Sequence, residues 1–522
     1  MQTHKTCSQT GCPLKMMNRR RFLASTGALA LAASGCSQLS LSEKSSSLAD
    51  RQGLQMPPIA PARIRAAFVH PGVERYWMGW PGAAYDIRAR QRQYTDVLKA
   101  AAQKQQIKLE LIDEPLKDDD IVNAFIQNLT KEAPDGILIV TMCLHHPDFG
   151  AWRKMNRIAE NKGQVPMIVF SPMGTSFTSE VHGNRYPDLR KPGVFVGATQ
   201  DVEWLATGLK MLNTVHRMKH SRLLVLKGDN TEDRKLDIIG TTLHYIPRNR
   251  WPEEFHKTQT NSRMLALAEF YTKQAEKIVE PNKQDIINSA KNYFVARKLM
   301  AAEGCHGISV DCLPLVRDLK IPCPPCMAWL QLNDEGSVGC CEADTNAAIS
   351  LRLTALLCDR PGFMQDPAPN TVRNTLNGAH CSCPTRLDGF DMPPSPLILR
   401  NHSESELGVS PQVLWRTDQK VTVMKFEGPE KMIVGTGRVL RNIDTPPSGG
   451  CRTSLELEMD NLPDARDTRG FHQLFIYGDL ENEFKAYCQL SGIKVEPLYG
   501  PRDESRKVAA AAASRHSHCC SC

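Results

Sequence analysis

GSVGCCEADTNAAISLRLTALLCDRPGFMQDPAPNTVRNTLNGAHCSC, residues 336–383, is the stretch in which the plan of the chain becomes readable. A helix is expected to start at Asp344 and to run to about Cys358, where Arg360-Pro361-Gly362 stops it. The short apolar run GFMQD follows, then a small-residue run bounded by Gly378 and Cys381. Polar residues sit at the turning points: Glu342 ahead of the helix, Asp366 after GFMQD, and His380 in the small-residue run. Each has a plain explanation alone. Glu342 suits the helix dipole, Asp366 before Pro367 suits a turn, and His380 suits a satisfied core position. Together, a Glu, an Asp and a His meeting in one pocket could hold a hard divalent metal with positions left for substrate.

Upstream, β-branched runs alternate with amphipathic stretches. Strands are expected at 64–69, 107–112, 136–140, 167–170, 194–196, 222–227 and 307–310, and helices at 86–104, 119–131, 202–218, 270–278 and 285–303. This β-α-β alternation predicts an α/β fold with two doubly wound parallel-sheet domains in succession. Acids at the ends of successive α/β elements then belong where such sheets place ligands, outside the strand carboxyl ends. From about Phe390 the texture changes to Pro-rich loops and antiparallel-type strands at 412–415, 421–426, 432–440 and 454–459. A β-rich C-terminal domain is expected there. The domain plan is an export signal (1–36), a linker (37–61), a first α/β domain (62–201), a second carrying the metal and catalytic carboxylates (202–388), the β-rich domain (389–500) and a disordered tail (501–522).

The 522 residues exceed one ordinary core, and the net charge of +7 is modest. No dense Lys/Arg tract is interleaved with aromatics, so nucleic acid is not an expected partner. Asn18-Arg19-Arg20-Arg21-Phe22-Leu23-Ala24, followed by an Ala-rich run, has the pattern of a twin-arginine export signal. Ala33-Ser34-Gly35-Cys36 resembles a lipoprotein cleavage box, which makes Cys36 a candidate lipid anchor and the periplasm the expected compartment. Membrane contact is expected only through these segments. Nine of the 18 cysteines fall between Cys305 and Cys383. In a chain this large, folded before export, they suit buried thiols and do not require a disulfide framework.

GISVDC, PCMAWLQLNDEGSVGCCEADTNAAISLRL, PGFMQDP and GAHC resemble the L-fucose isomerase and L-arabinose isomerase superfamily, best between about Gly307 and His380. Glu342, Asp366 and His380 take the order of that family's carboxylate, carboxylate and histidine. RGFHQLF around His472 resembles its late histidine. The resemblance implies two α/β domains with a β-rich third, a homo-oligomer, a manganese-type ion and aldose–ketose interconversion of a sugar. It also implies Glu342 and Asp366 as catalytic metal ligands, His472 as third ligand and His380 at the substrate. Moving a proton between sugar carbons needs a base and a cation beside the ene-diolate oxygens. The paired Cys340-Cys341 and the export signal depart from a cytosolic isomerase. Two other readings therefore stand: an exported glycoside hydrolase using the two carboxylates, and a non-catalytic periplasmic sugar binder.

Other candidates are weaker. Cys323-Pro-Pro-Cys326 has zinc or redox spacing but no partner pair, so structural thiols are expected, with zinc the lesser reading. Trp77 and Trp80 could stack on a sugar ring. Cys143, His145 and His146 end a strand where a substrate contact could lie, and the His/Cys tail could take a soft metal adventitiously.

Overall fold

The computed structural model describes residues 57–76, 85–142, 149–172, 185–445 and 450–500. The export signal, Cys36, Trp77, Trp80, the Cys143–His146 group and the tail fall outside these residues. Among the described residues no helix is long and apolar enough to cross a membrane.

Strands of three residues or more are numbered here. β1 (Arg63–Val69), β2 (Lys108–Ile112), β3 (Gly136–Thr141), β4 (Met167–Pro172) and β5 (Val194–Thr199) form a wholly parallel sheet in the order β2-β1-β3-β4-β5. β3 reads GILIVT and is buried throughout, as a central strand covered on both faces must be. The helices start at side-chain caps. Asp86 accepts from Ala89 N (2.8 Å) at α1 (Ile87–Lys104), and Asp118 accepts from Ile121 N (2.9 Å) at α2 (Asp119–Lys131). In α2, Val122, Phe125 and Leu129 make the inward stripe, at helical spacing. α3 (Ala151–Asn161) and α4 (Trp204–Lys219) complete this layer.

The second sheet contains β6 (Arg222–Leu226), β7 (Glu232–Lys235), β8 (Thr242–Ile246), β9 (Gly307–Val310) and β10 (Gly339–Cys341), ordered β10-β9-β6-β8-β7. Four strands run parallel. β7, with its exposed Glu-Asp-Arg-Lys run, is an antiparallel edge whose charges oppose further pairing. Its helices are α5 (Arg250–Lys257), α6 (Ser262–Gln274), α7 (Lys283–Ala302), α8 (Leu313–Arg317), α9 (Cys326–Asp334) and α10 (Thr345–Cys358).

The third unit is a closed barrel of six antiparallel strands. β11 (Phe363–Asn370) and β12 (Thr375–His380) are separated in sequence from its other staves by β13 (Leu397–Arg400) and β14 (Ser410–Val413), which pair with each other elsewhere. The barrel order is β15 (Lys420–Phe426), β18 (Gln473–Tyr477), β11, β12, β17 (Thr453–Met459), β16 (Lys431–Asn442), and pairing of β15 with β16 closes it. Helix α11 (Glu481–Ser491) and β19 (Lys494–Pro497) follow. α11 ties back to the first sheet, because Gly193 N donates to Gln489 O (2.9 Å).

Helix α10 is the axis of the molecule. Every residue from Ala347 to Leu357 is buried. Thr214 Oγ1 of α4 donates to Leu356 O (3.3 Å), and Phe426 N of β15 donates to Ser350 Oγ (2.9 Å). A helix buried all round is stable only when covered on all sides, and here α4, the second sheet and the barrel supply the cover.

Three sequence expectations change. Residues 363–380, assigned from the sequence to the second α/β unit, are barrel staves. The helix expected at 270–278 lies at Ser262–Gln274, capped by Asn261, whose side chain accepts from Met264 N (3.2 Å); residues 277–278 instead pair with β13. The β7–β8 hairpin has no counterpart in the sequence reading.

Gly378 in β12 admits no side chain. A Cβ there would meet Phe475 Cε2 at 2.4 Å and Gln365 Oε1 at 2.5 Å. Gly378→Ala should destabilise the protein by about 1–3 kcal/mol through overpacking, measured as a lowered thermal midpoint; an unchanged midpoint would contradict this packing.

Candidate metal centre

The carboxyl end of β10 faces the barrel rim, and the site forms between them. After Cys341 the backbone turns through two consecutive left-handed residues, Glu342 (φ 60°) and Ala343 (φ 51°), before Asp344 caps α10 by accepting from Ala347 N at 2.8 Å. Left-handed conformations at non-glycine residues cost free energy and persist only where surrounding contacts hold them. On the barrel side Asp366 lies on β11. By strand alternation it shares a face with Met364, whose sulfur touches Cys340 Sγ at 3.5 Å. His472 immediately precedes β18 and is also left-handed (φ 56°), while His380 ends β12.

The four residues singled out from the sequence meet. His472 Nε2 lies 3.2 Å from Asp366 Oδ1 and 3.4 Å from Glu342 Oε2, and His380 Nε2 lies 3.7 Å from Glu342 Oε1. The two imidazole rings approach edge to face, with centroids 5.7 Å apart. Glu342, His380 and His472 each place a donor atom within 4.8 Å of the others. His472 Nε2 and Asp366 Oδ1 are buried and face one another, yet neither makes a hydrogen bond. Buried polar atoms are rarely left unsatisfied, and a ring nitrogen and a carboxylate oxygen turned toward one another in this way suit a shared cation. Glu342, His380 and His472 share the spacing an ion needs and Asp366 approaches at His472, a set of two carboxylates and two imidazoles that fits a divalent ion of the manganese type.

Two further residues went unread as site residues. Asp344 Oδ2 accepts from His472 Nδ1 at 2.8 Å, which fixes the ring and turns Nε2 toward Glu342 and Asp366. Lys425 of β15 donates to the same oxygen at 2.9 Å and also to the Phe471 carbonyl. Asp344 was visible only as the start of a helix; Lys425 had no local signal, since its partner lies 81 residues away.

The electrostatics follow from these contacts. The imidazoles of His380 and His472 hold the Glu342 carboxyl down at about 2, against burial. Burial acts to raise Asp344, but His472, Lys425 and the Ala347 N–H together keep it well below the usual carboxylate range. Burial opposes a charged His472, yet Asp344, Asp366 and Glu342 raise it to about 10. For His380 burial is likewise overridden, by Cys381 first and then by Glu342 and Asp366, so it too is raised. A small cavity of about 40 Å³ adjoins the group, lined by Glu342, Asp366, His380 and several thiols. Its size suits an ion with a water.

No family model matches the chain, and no curated protein matches it closely enough to place it. The case for the site therefore rests on its own geometry.

The shifts fix a pH profile for the metal-free protein. His472 is raised from 6.5, so its contribution to stability is complete below pH 6.5 and disappears as pH climbs through about 10. Glu342 is depressed from 4.5, so its contribution is complete above pH 4.5 and disappears as pH falls toward 2. Thermal midpoints recorded in chelator should therefore fall on both sides of this interval, and His472→Asn should flatten the alkaline arm. An alkaline arm unaffected by that substitution would exclude the contacts as its cause.

Proposed function

We propose that this chain is a divalent-metal-dependent, carbohydrate-active enzyme of the L-fucose/L-arabinose isomerase type. The reading includes two doubly wound domains ahead of the barrel and an exported, periplasmic location. The observation that carries it is the meeting of Glu342, Asp366 and His472, drawn from three elements, with orphaned donor atoms turned toward one another. Glu342, Asp366 and His472 would hold Mn²⁺, with His380 beside them. The bound ion would supply charge stabilisation for two adjacent oxygens of an ene-diolate.

The residues divide the remaining work. Glu342, held ionised by two imidazoles, is suited to be a ligand and is a weak base near neutrality. Asp366 is more open, with 39% of its side chain exposed, and carries an unpartnered oxygen. It is the better placed of the two to take a proton from a sugar carbon and return it to the neighbour. His380 can donate to a sugar hydroxyl. Asp344 and Lys425 position His472 without touching the reacting atoms. The cavity is smaller than a sugar, so turnover on this reading requires its wall to retract on binding.

The alternatives lose support on the same geometry. Both carboxylates have an oxygen within 3.4 Å of one nitrogen, which suits a single coordination sphere and does not suit an acid/base pair flanking a glycosidic bond. A sugar binder without chemistry gives no reason for the donor atoms to converge.

Purified protein assayed with a panel of aldoses should show isomerisation dependent on Mn²⁺ and lost on chelation. Glu342→Gln should abolish it; activity surviving that change would remove Glu342 from the mechanism. Asp344→Asn should weaken Mn²⁺ binding by about 10–100-fold, the usual cost of losing a group that orients a ligand, as read by calorimetry. An unaltered affinity would mean that Asp344 only caps the helix.

A further inference from the structure

Beyond the carboxylates, the same small cavity is walled by sulfur. Cys312, Cys326, Cys341, Cys381 and Cys451 line it together with His402. The donor atoms of Cys326, Cys381 and His402 lie within 4.8 Å of one another, and all three residues are buried. Cys451 stands on the wall of the same cavity. Cys341 and His380 also approach Cys381, on the side facing Glu342. The four residues come from separate parts of the fold: Cys326 opens α9, Cys381 follows β12, His402 follows β13 and Cys451 precedes β17.

Their surroundings hold them in place. Asp334 accepts from Thr385 N (2.8 Å), Arg386 N (2.8 Å) and Thr385 Oγ1 (2.5 Å), which pins the loop that Cys381 begins. Ser410 Oγ donates to Cys381 O at 3.4 Å. His402 Nδ1 hydrogen-bonds Ser405 Oγ at 2.9 Å, which orients the ring and makes Nε2 the nitrogen available to a metal. Cys323, the other half of the Cys-Pro-Pro-Cys run, does not join them; its Sγ rests on Ser289 Oγ at 2.9 Å. The described thiols are free. Packing alone accounts for buried thiols, but it does not account for an oriented imidazole buried among them.

We propose that Cys326, Cys381 and His402 bind one Zn²⁺ beside the oxygen-rich centre, and that Cys451, on the wall of the same cavity, closes on the ion as fourth ligand of a tetrahedral S₃N site. Three sulfurs and one imidazole nitrogen make a soft set that selects zinc over manganese, and four protein donors leave no position for substrate. Binding expels the three thiol protons to solvent and leaves His402 neutral, so no oxidant or reductant takes part. The site is structural. It fastens the loops after β12 and β13 and before β17 to α9, and so braces His380, the neighbour of Cys381. This inference is independent of the isomerase reading.

The test uses the full-length protein prepared under reducing conditions, with Zn²⁺ and Co²⁺ as probes. Elemental analysis should find one zinc per chain that persists under chelation sufficient to strip Mn²⁺. Calorimetry in buffers of different ionisation enthalpy should show about three protons released per zinc bound. Co²⁺-loaded protein should show a thiolate-to-cobalt charge-transfer band that disappears in Cys326→Ser and Cys381→Ser. Glu342→Gln should leave that band intact, which separates this site from the carboxylate centre whatever the sugar assays give. His402→Gln, which keeps every sulfur, should retain the band but alter the ligand-field transitions of the cobalt. The proposal is overturned if zinc is absent and the wild-type band is missing. It is overturned equally if the band survives loss of Cys326 and Cys381, if His402→Gln leaves the cobalt spectrum unchanged, or if mass spectrometry finds these cysteines joined as disulfides.

Discussion

One carboxylate ties the second α/β unit of this protein to the barrel. Asp344 caps α10 through Ala347 N, receives Lys425 from β15 and holds His472 at the start of β18. Removing it would uncap the buried helix, leave a lysine that is 7% exposed without its counter-ion, and free the imidazole on which the candidate metal centre turns. Loss of one partner of a buried ion pair is far costlier than a surface change, because the other charge stays behind in a poorly solvating interior. The fold and the site thus share a constraint. The helix cannot be seated without bringing His472 up to Glu342 and Asp366.

The backbone around that carboxylate is held in an unfavourable form. Glu342, Ala343 and His472 all adopt left-handed conformations that side chains with a Cβ disfavour. The first two let the chain leave β10 and enter α10 within a few residues, placing Glu342 and Asp344 on either side of the His472 ring. Strain concentrated at the residues that converge, with the surrounding helix and barrel well packed, is the pattern expected where positioning outweighs local stability.

The α/β part was legible because its signals are local. GILIVT and RLLVL are apolar runs that need cover on both faces, and helical periodicity marks the helices at 86–104 and 119–131. The barrel was harder to see. β11 reads FMQDPAPN, and its prolines argue against a paired strand. They are tolerated because pairing with β18 ends at Gln365, so Pro367 and Pro369 have no ladder donor to supply on that side. For the site, the order Glu342, Asp366, His380, His472 was readable as a resemblance. Lys425 and His402 were not, because a strand lysine and a loop histidine acquire meaning only from neighbours that are distant in sequence.

The barrel sets the timetable by which the centre can come into being. His472 stands 128 residues beyond the aspartate that orients it, just before the last stave to be made. During synthesis the two sheets and α10 emerge first, yet α10 then lacks β15 and β18, which cover much of its surface, and the barrel remains an open sheet with bare edges. Contacts of such long range form slowly, since loop closure must precede any gain from them. The candidate ligands consequently meet only after the barrel's last stave is made, and until then the apolar surface of α10 lacks its cover.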